Sequence, residues 1–226
     1  NITAGGALSS TSSGNLIGQV VTAQGASLSN AGIVNAVNAN LSATGSMTHT
    51  GTTYVSGVAH LSGGTVNIGG TVRGNDLRID GTQVTTGASS VLEAARDTLL
   101  IASSDLTMNG QTRSIGTFDA RVTAGNAVLN GTLNADISKV DVSGQLSLGA
   151  ASQLIGQSSI SVAANSLAGG LDVSDFTKLK TNGNLQLSLA TGGMTIAAGQ
   201  QLERSGNLAL SLGGAITNAG TIKSSG

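Results

Sequence analysis

Leu185, Leu187 and Leu189 alternate with Asn184, Gln186 and Ser188, and the same run recurs further on, where Leu208, Leu210 and Leu212 alternate with Asn207, Ala209 and Ser211. A period of two marks a strand with one buried face. Leu146 and Leu148, after Gly144, repeat the theme. A longer period lies over the short one. Gly32, Gly51 and Gly70 are evenly spaced, with Leu28, Met47 and Val66 four places before them. Ala39, Val58 and Leu77 stand seven places after these glycines, and Leu41, His60 and Ile79 nine places after. The turn persists further on as Asn109-Gly110 and Asn130-Gly131, set slightly wider apart, so the period drifts while the corner survives. Asn-Gly and Gly-Gly pairs supply sharp corners at little steric cost.

A unit of about 20 residues cannot bury its own apolar face, so it must stack on its neighbours. Parallel stacking lets each short strand pair on both edges and lines equivalent residues into ladders. The pattern therefore predicts an all-β fold, a right-handed parallel β-helix (solenoid) of about 11 coils of roughly 19–23 residues, about 50 Å long. The whole of 1–226 reads as a single β-helical repeat segment, with 1–27 as irregular first coils carrying a Ser-rich insertion at Ser9 to Ser13, and 28–226 as regular coils. Excursions are expected near 91–101 and 172–180. In the first, Glu93, Arg96 and Asp97 also fit a short helix, but the preferred reading is two strand pieces joined at Ala95 to Asp97. The start at Asn1 and the end at Lys223-Ser224-Ser225-Gly226 read as cuts from something longer, whose open edges invite fraying or end-to-end association.

Composition narrows the core and the partners. Aromatic residues are 1% of the chain, so the lumen must be filled by Ala, Val, Leu and Ile. Gly occurs 34 times and Pro not at all, where average usage would give about 11 prolines. Disordered Gly-rich segments usually carry Pro, whereas a long hydrogen-bond ladder excludes it. Charged residues are 9% with a net charge of −1, which leaves no basic patch to neutralise phosphates and argues against nucleic acid. The lack of Cys excludes disulfides, thiolate nucleophiles and Cys-based metal sites. No apolar run is long enough to cross a bilayer as a helix, so no helical transmembrane segment is expected.

Candidate chemistry is sparse. The separation of His49 and His60 is not a multiple of the period, so they read as solvent-facing strand positions on different sides. Asp76, Arg78 and Asp80, with Arg73 nearby, form the best carboxylate and guanidinium cluster for acid–base work, and read more simply as a solvated charge stripe. Gly74-Asn75-Asp76 matches a fragment of calcium-binding repeats without the tandem copies that build such a site. Asn1-Ile2-Thr3 fits a glycosylation acceptor pattern. No catalytic, cofactor-binding or metal-ligating residue is assigned, and no cofactor.

The period of roughly 19 to 23 residues, the Gly-Asn-Leu-x-Leu-x-Leu strands at Gly183 and Gly206, and the Asn-Ala-Gly turns at Asn30 and Asn218 resemble the filamentous haemagglutinin family. These are large exoproteins of bacterial two-partner secretion, including haemagglutinin-like adhesins and contact-dependent growth inhibition proteins. The resemblance covers most of the chain and implies a β-helical shaft, export through an outer-membrane transporter partner, and display of adhesive or toxic parts at the cell surface. Freedom from Cys and Pro suits threading of an unfolded chain, as that family implies. One departure stands out: the family's amino-terminal secretion domain carries an Asn-Pro motif, which a chain without Pro cannot contain. The resemblance thus implies a secreted, surface-located, non-enzymatic shaft or adhesive repeat region, contacting a receptor or glycan on a target cell. The alternatives are a β-helical carbohydrate-active enzyme or tailspike-like polysaccharide binder, and an autotransporter passenger.

Overall fold

The structure is a computed structural model that describes Asn1–Ser225. It is a parallel β-solenoid whose coils each lay down three strand segments, separated by three corners. One inward column on its longest face defines the stack: Ile2, Ala23, Leu41, Leu61, Ile79, Leu100, Ala120, Val140, Val162, Leu187 and Leu210 are successive Cα partners in eleven coils. Every pairing between strands is parallel, in agreement with the stacking predicted from the repeat. No helix among the described residues is long and apolar enough to cross a membrane.

The alternation read from sequence sorts side chains as expected. Leu185, Leu187 and Leu189 are buried, whereas Asn184 and Gln186 are exposed and Ser188 is half-buried. A second inward column runs through Leu16, Val34, Thr53, Val72, Leu92, Thr112, Leu133 and Leu154 on the short face. A third runs through Leu8, Leu28, Met47, Val66, Val84, Leu106, Ala127 and Leu146. The three columns meet in a thin lumen of small aliphatic side chains.

At the bulkiest fully buried side chain of this lumen, the neighbours above and below are small. Phe118, fully buried, lies between Thr98 and Ser138 in the adjacent coils. Their burial requires hydrogen bonds, which are present. Ser114 Oγ donates to Thr98 Oγ1 at 2.8 Å, and Ser138 Oγ donates to the Ile155 carbonyl at 2.8 Å.

Coil length varies along the chain, growing over much of the short face and shrinking again by the pairing of Gln201 with Thr221. The register shifts between Ala135 and Ile137 and between Val142 and Gln145. Asn15 pairs with Ile33, Ile33 with Thr52, Thr71 with Val91, Gln111 with Thr132 and Leu154 with Leu179, so the interval between partners widens from each of these pairings to the next, most of all at the last. The stack is regular earlier than expected from sequence. Asn15–Gly25 pairs with Ile33–Ala43 along both the short and the long face, and Ser9 and Ser10 pair with Ser29 and Asn30. The Ser-rich stretch is therefore strand followed by a turn in which the Gly14 N–H donates to the Thr11 carbonyl.

Of the two expected excursions, the first stays within the regular coil, its strands in register with the coils on both sides, and only the second leaves it. Val91–Ala94 and Thr98–Ala102 are two strands with a bend between them, so alternation prevails over helical spacing. The second is a 3-10 helix, Val173–Thr177, entered through Gly169 and Gly170 at φ 79° and 83°. Asp172 caps it by accepting from the Ser174 N–H, which holds the Asp172 carboxyl below its usual pKa.

The corner between the third and short faces explains the glycine repeat. A Cβ at Gly51 would be driven into the carbonyl oxygen of Gly32, and one at Gly70 into that of Gly51, because successive coils approach there backbone to backbone. Gly69, next in the chain to Gly70, would meet only the Thr50 methyl at 3.6 Å. Gly51→Ala is expected to cost about 2 kcal/mol or more in denaturant unfolding, while Gly69→Ala stays within about 0.5 kcal/mol. Equal costs would show that the close approach at Gly51 is absent.

Candidate functional surface

The two histidines lie on different faces, but only one is solvent-facing. His49 is the last residue of strand Ser46–His49 and points into the lumen, fully buried, where a surface position was expected. The reason is register: His49 pairs with Asn30 in the coil before and with Ile68 in the coil after, in a column of inward positions. Asn30 Nδ2 can only donate, so the 3.0 Å contact makes His49 Nδ1 the acceptor. Nε2 then carries the hydrogen and faces the Thr71 carbonyl at 3.2 Å, with Thr53 Oγ1 at 3.5 Å. This is a neutral imidazole, whose pKa is lowered by burial and only partly restored by the Thr71 carbonyl.

His60 points outward on the long face and contacts Asp80 Oδ2 through Nε2 at 2.7 Å. Asp80 also accepts from Arg78 Nε at 2.6 Å, a bond that raises the Arg78 pKa. Asp76 does not join that pair. It takes a forked bond from Arg96 of the next coil, at 2.9 and 2.6 Å. Arg73 belongs to the short face, where it pairs with Glu93 and lies 5.7 Å from the Tyr54 ring centroid. The four residues singled out from sequence thus fall into three separate ion-pair groups on flat strand faces, each carboxylate held by a guanidinium. Asp76, of the Gly74-Asn75-Asp76 fragment, is bound by Arg96 and Asn75. Among the described residues no three His, Cys, Asp or Glu side chains gather as a metal site.

Sequence reasoning passed over the corner side chains that bridge coils. Asn38 Oδ1 accepts from the Val58 N–H at 2.8 Å, Asp97 Oδ1 from Thr117 at 2.7 Å, Asp105 Oδ1 from Asn126 at 2.9 Å, and Asn126 Oδ1 from Gln145 at 2.8 Å. Each replaces a carbonyl acceptor where the chain turns and the ladder is interrupted. Their spacing of about one coil from the donor was the available signal. Arg204, half-buried, similarly donates to the Leu179 and Thr181 carbonyls one coil back.

The concavities follow from the fold. A recess of about 290 Å³ lined by Leu8, Leu16, Leu28 and Leu41 is the lumen itself between the first coils. The others are shallow grooves along corners, one of them beside Tyr54, Val37 and Arg73. The geometry defines a parallel β-solenoid with flat, largely polar faces. Comparison with models of protein families, with characterised proteins and with solved structures finds no match.

His49 sets a pH dependence of stability. Its folded pKa lies below the unfolded value near 6.5, so above that pH both states are neutral and the full stability is present. Below it the unfolded chain takes up a proton that the folded chain excludes, and stability falls with decreasing pH by up to about 1.4 kcal/mol per pH unit. His49→Gln keeps a neutral donor and acceptor and is expected to flatten the fall in melting temperature between about pH 6.5 and 5. A profile identical to that of the parent chain would place His49 outside the lumen.

Proposed function

We propose that the chain is a structural shaft or adhesive repeat region of a large bacterial exoprotein, exported by a two-partner route and held at the cell surface, where it projects a contact region toward another cell. The observation that supports this reading most is the unbroken inward column of eleven coils from Ile2 to Leu210, which makes the described chain a rod rather than a vessel around a cleft. Its outward strands carry short polar residues and mutually paired charges, a surface suited to spacing. Stiffness comes from the geometry: bending a parallel stack would break hydrogen bonds on one side of the lumen.

In this reading the partners are an outer-membrane transporter during export and a receptor or glycan on the target cell. The lack of Cys and Pro fits passage of an extended chain, because neither a disulfide nor a slow prolyl isomerisation interrupts it. The paired charges of the outward faces take structural roles, and none is assigned to catalysis. Asp76 and Asp80, the carboxylates a polysaccharide-cleaving alternative would use, are engaged by Arg96 and Arg78.

The test is export. Produced in its native reading frame, the segment is expected to be labelled on intact cells by an antibody against its exposed faces only when the neighbouring outer-membrane transporter is present. Replacement by an unrelated β-solenoid of equal coil number is expected to preserve attachment of those cells if the segment is a shaft, and to abolish it if the segment is the adhesive part. Retention inside cells that carry the transporter would overturn the reading.

A further inference from the structure

The outward side of the long face carries a charge pattern with a two-fold repeat. Two columns stand side by side, two residues apart in each coil. One runs His60, Arg78, Leu99, Asp119, Lys139, and the other Ser62, Asp80, Ile101, Arg121, Asp141. The coil of Leu99 and Ile101 is the sixth of eleven, and both side chains are half-buried on an outer surface. On one side of it stands Arg78 beside Asp80, and on the other Asp119 beside Arg121, the same pair in reversed order. Each pair is closed within its own strand, Arg78 Nε to Asp80 Oδ2 at 2.6 Å and Arg121 Nη2 to Asp119 Oδ2 at 2.6 Å.

We propose that this face binds a second copy of the same chain, the two rods lying antiparallel about a two-fold axis that follows the strand of Leu99 and Ile101. Rotation about that axis keeps each column in place and exchanges coils equally distant from the sixth. Arg78 then faces Asp119 of the other copy, and Asp80 faces its Arg121. Leu99 and Ile101 meet their own equivalents and supply an apolar centre. In the flanking column Val58, 40% exposed, meets Ile137. Ser62 meets Asp141 and His60 meets Lys139. The like charges brought to the axis are the two Asp97 side chains, each accompanied by Arg96 within 3.8 Å.

This inference stands on the pattern alone and does not depend on how the chain is exported. Oppositely arranged pairs on either side of an apolar centre make an isologous, self-complementary patch, which closes as a dimer and does not propagate. Seven coils at roughly 4.8 Å by five residues at roughly 3.3 Å give about 1,100 Å² for both copies together, the lower end of specific interfaces. Association in the micromolar range is therefore expected.

Sedimentation of the full chain across concentration tests it, with two exchanged variants. Arg78→Asp with Asp80→Arg, and separately Asp119→Arg with Arg121→Asp, keep the ion pair inside each strand but set like charges against each other across the interface. The parent chain is expected to be a dimer at hundreds of micromolar and each variant at least tenfold weaker. An equimolar mixture of the two variants is expected to regain the dimer, because every facing pair is again opposite in sign. Circular dichroism and melting establish that each variant folds. Should one fail to fold, Leu99→Asp, outside the lumen, is expected to abolish association by itself. A parent chain that stays monomeric, a dimer indifferent to the exchanges, or a mixture that does not regain it would each overturn the proposal.

Discussion

The backbone hydrogen-bond ladder between coils is the constraint from which the other features follow. A coil of about 20 residues encloses too little apolar surface to order itself, so its strands must find partners on both edges. Once the coils are parallel, residues one coil apart are stacked directly. Every position in the sequence is then under one rule: it must fit its equivalents above and below. The column Thr98, Phe118, Ser138 and the close backbone approach at Gly51 are two outcomes of that rule, one satisfied by volume and the other by the lack of a side chain.

The same constraint accounts for the polar residues in the lumen and at its corners. Coils of unequal length must store their extra residues at corners, where backbone donors lose their partners. Asn38, Asp97, Asp105 and Asn126 supply side-chain oxygens in their place, each reaching into the next coil. Asn30, His49 and Thr53 are a costlier arrangement, a buried polar group in an apolar lumen whose imidazole must stay neutral. Stability and acid sensitivity in the early coils thus have one origin.

Much of this architecture was legible in the residues. The Gly32, Gly51 and Gly70 spacing carries the period, and the Leu-x-Leu-x-Leu runs carry the buried face, because the stack sets equivalent positions of successive coils directly on one another. The inward position of His49 was written in the same spacing, one repeat after Asn30 and one before Ile68, but a polar residue type argued for the surface and masked the register. The early coils were obscured for a related reason: Asn15–Gly25 holds exposed Ile17 and Val20 beside buried Val21, which blurs the alternation. The pairing of Asp76 with Arg96 could not be read from spacing alone, since it depends on where a corner falls. What the rod touches is less legible still, because outward residues answer to the ladder only weakly and carry little of the repeat.

Distance along the stack tests the central claim most directly. The chain has no Cys, so nitroxides attached at Asn40→Cys and Gln186→Cys would be the sole labels, on one outward column seven coils apart. With labelled chain diluted in unlabelled chain, pulsed electron spin resonance should give a narrow distribution near about 34 Å, seven steps of roughly 4.8 Å. A broad distribution, or one centred below about 20 Å, would contradict an in-register parallel stack.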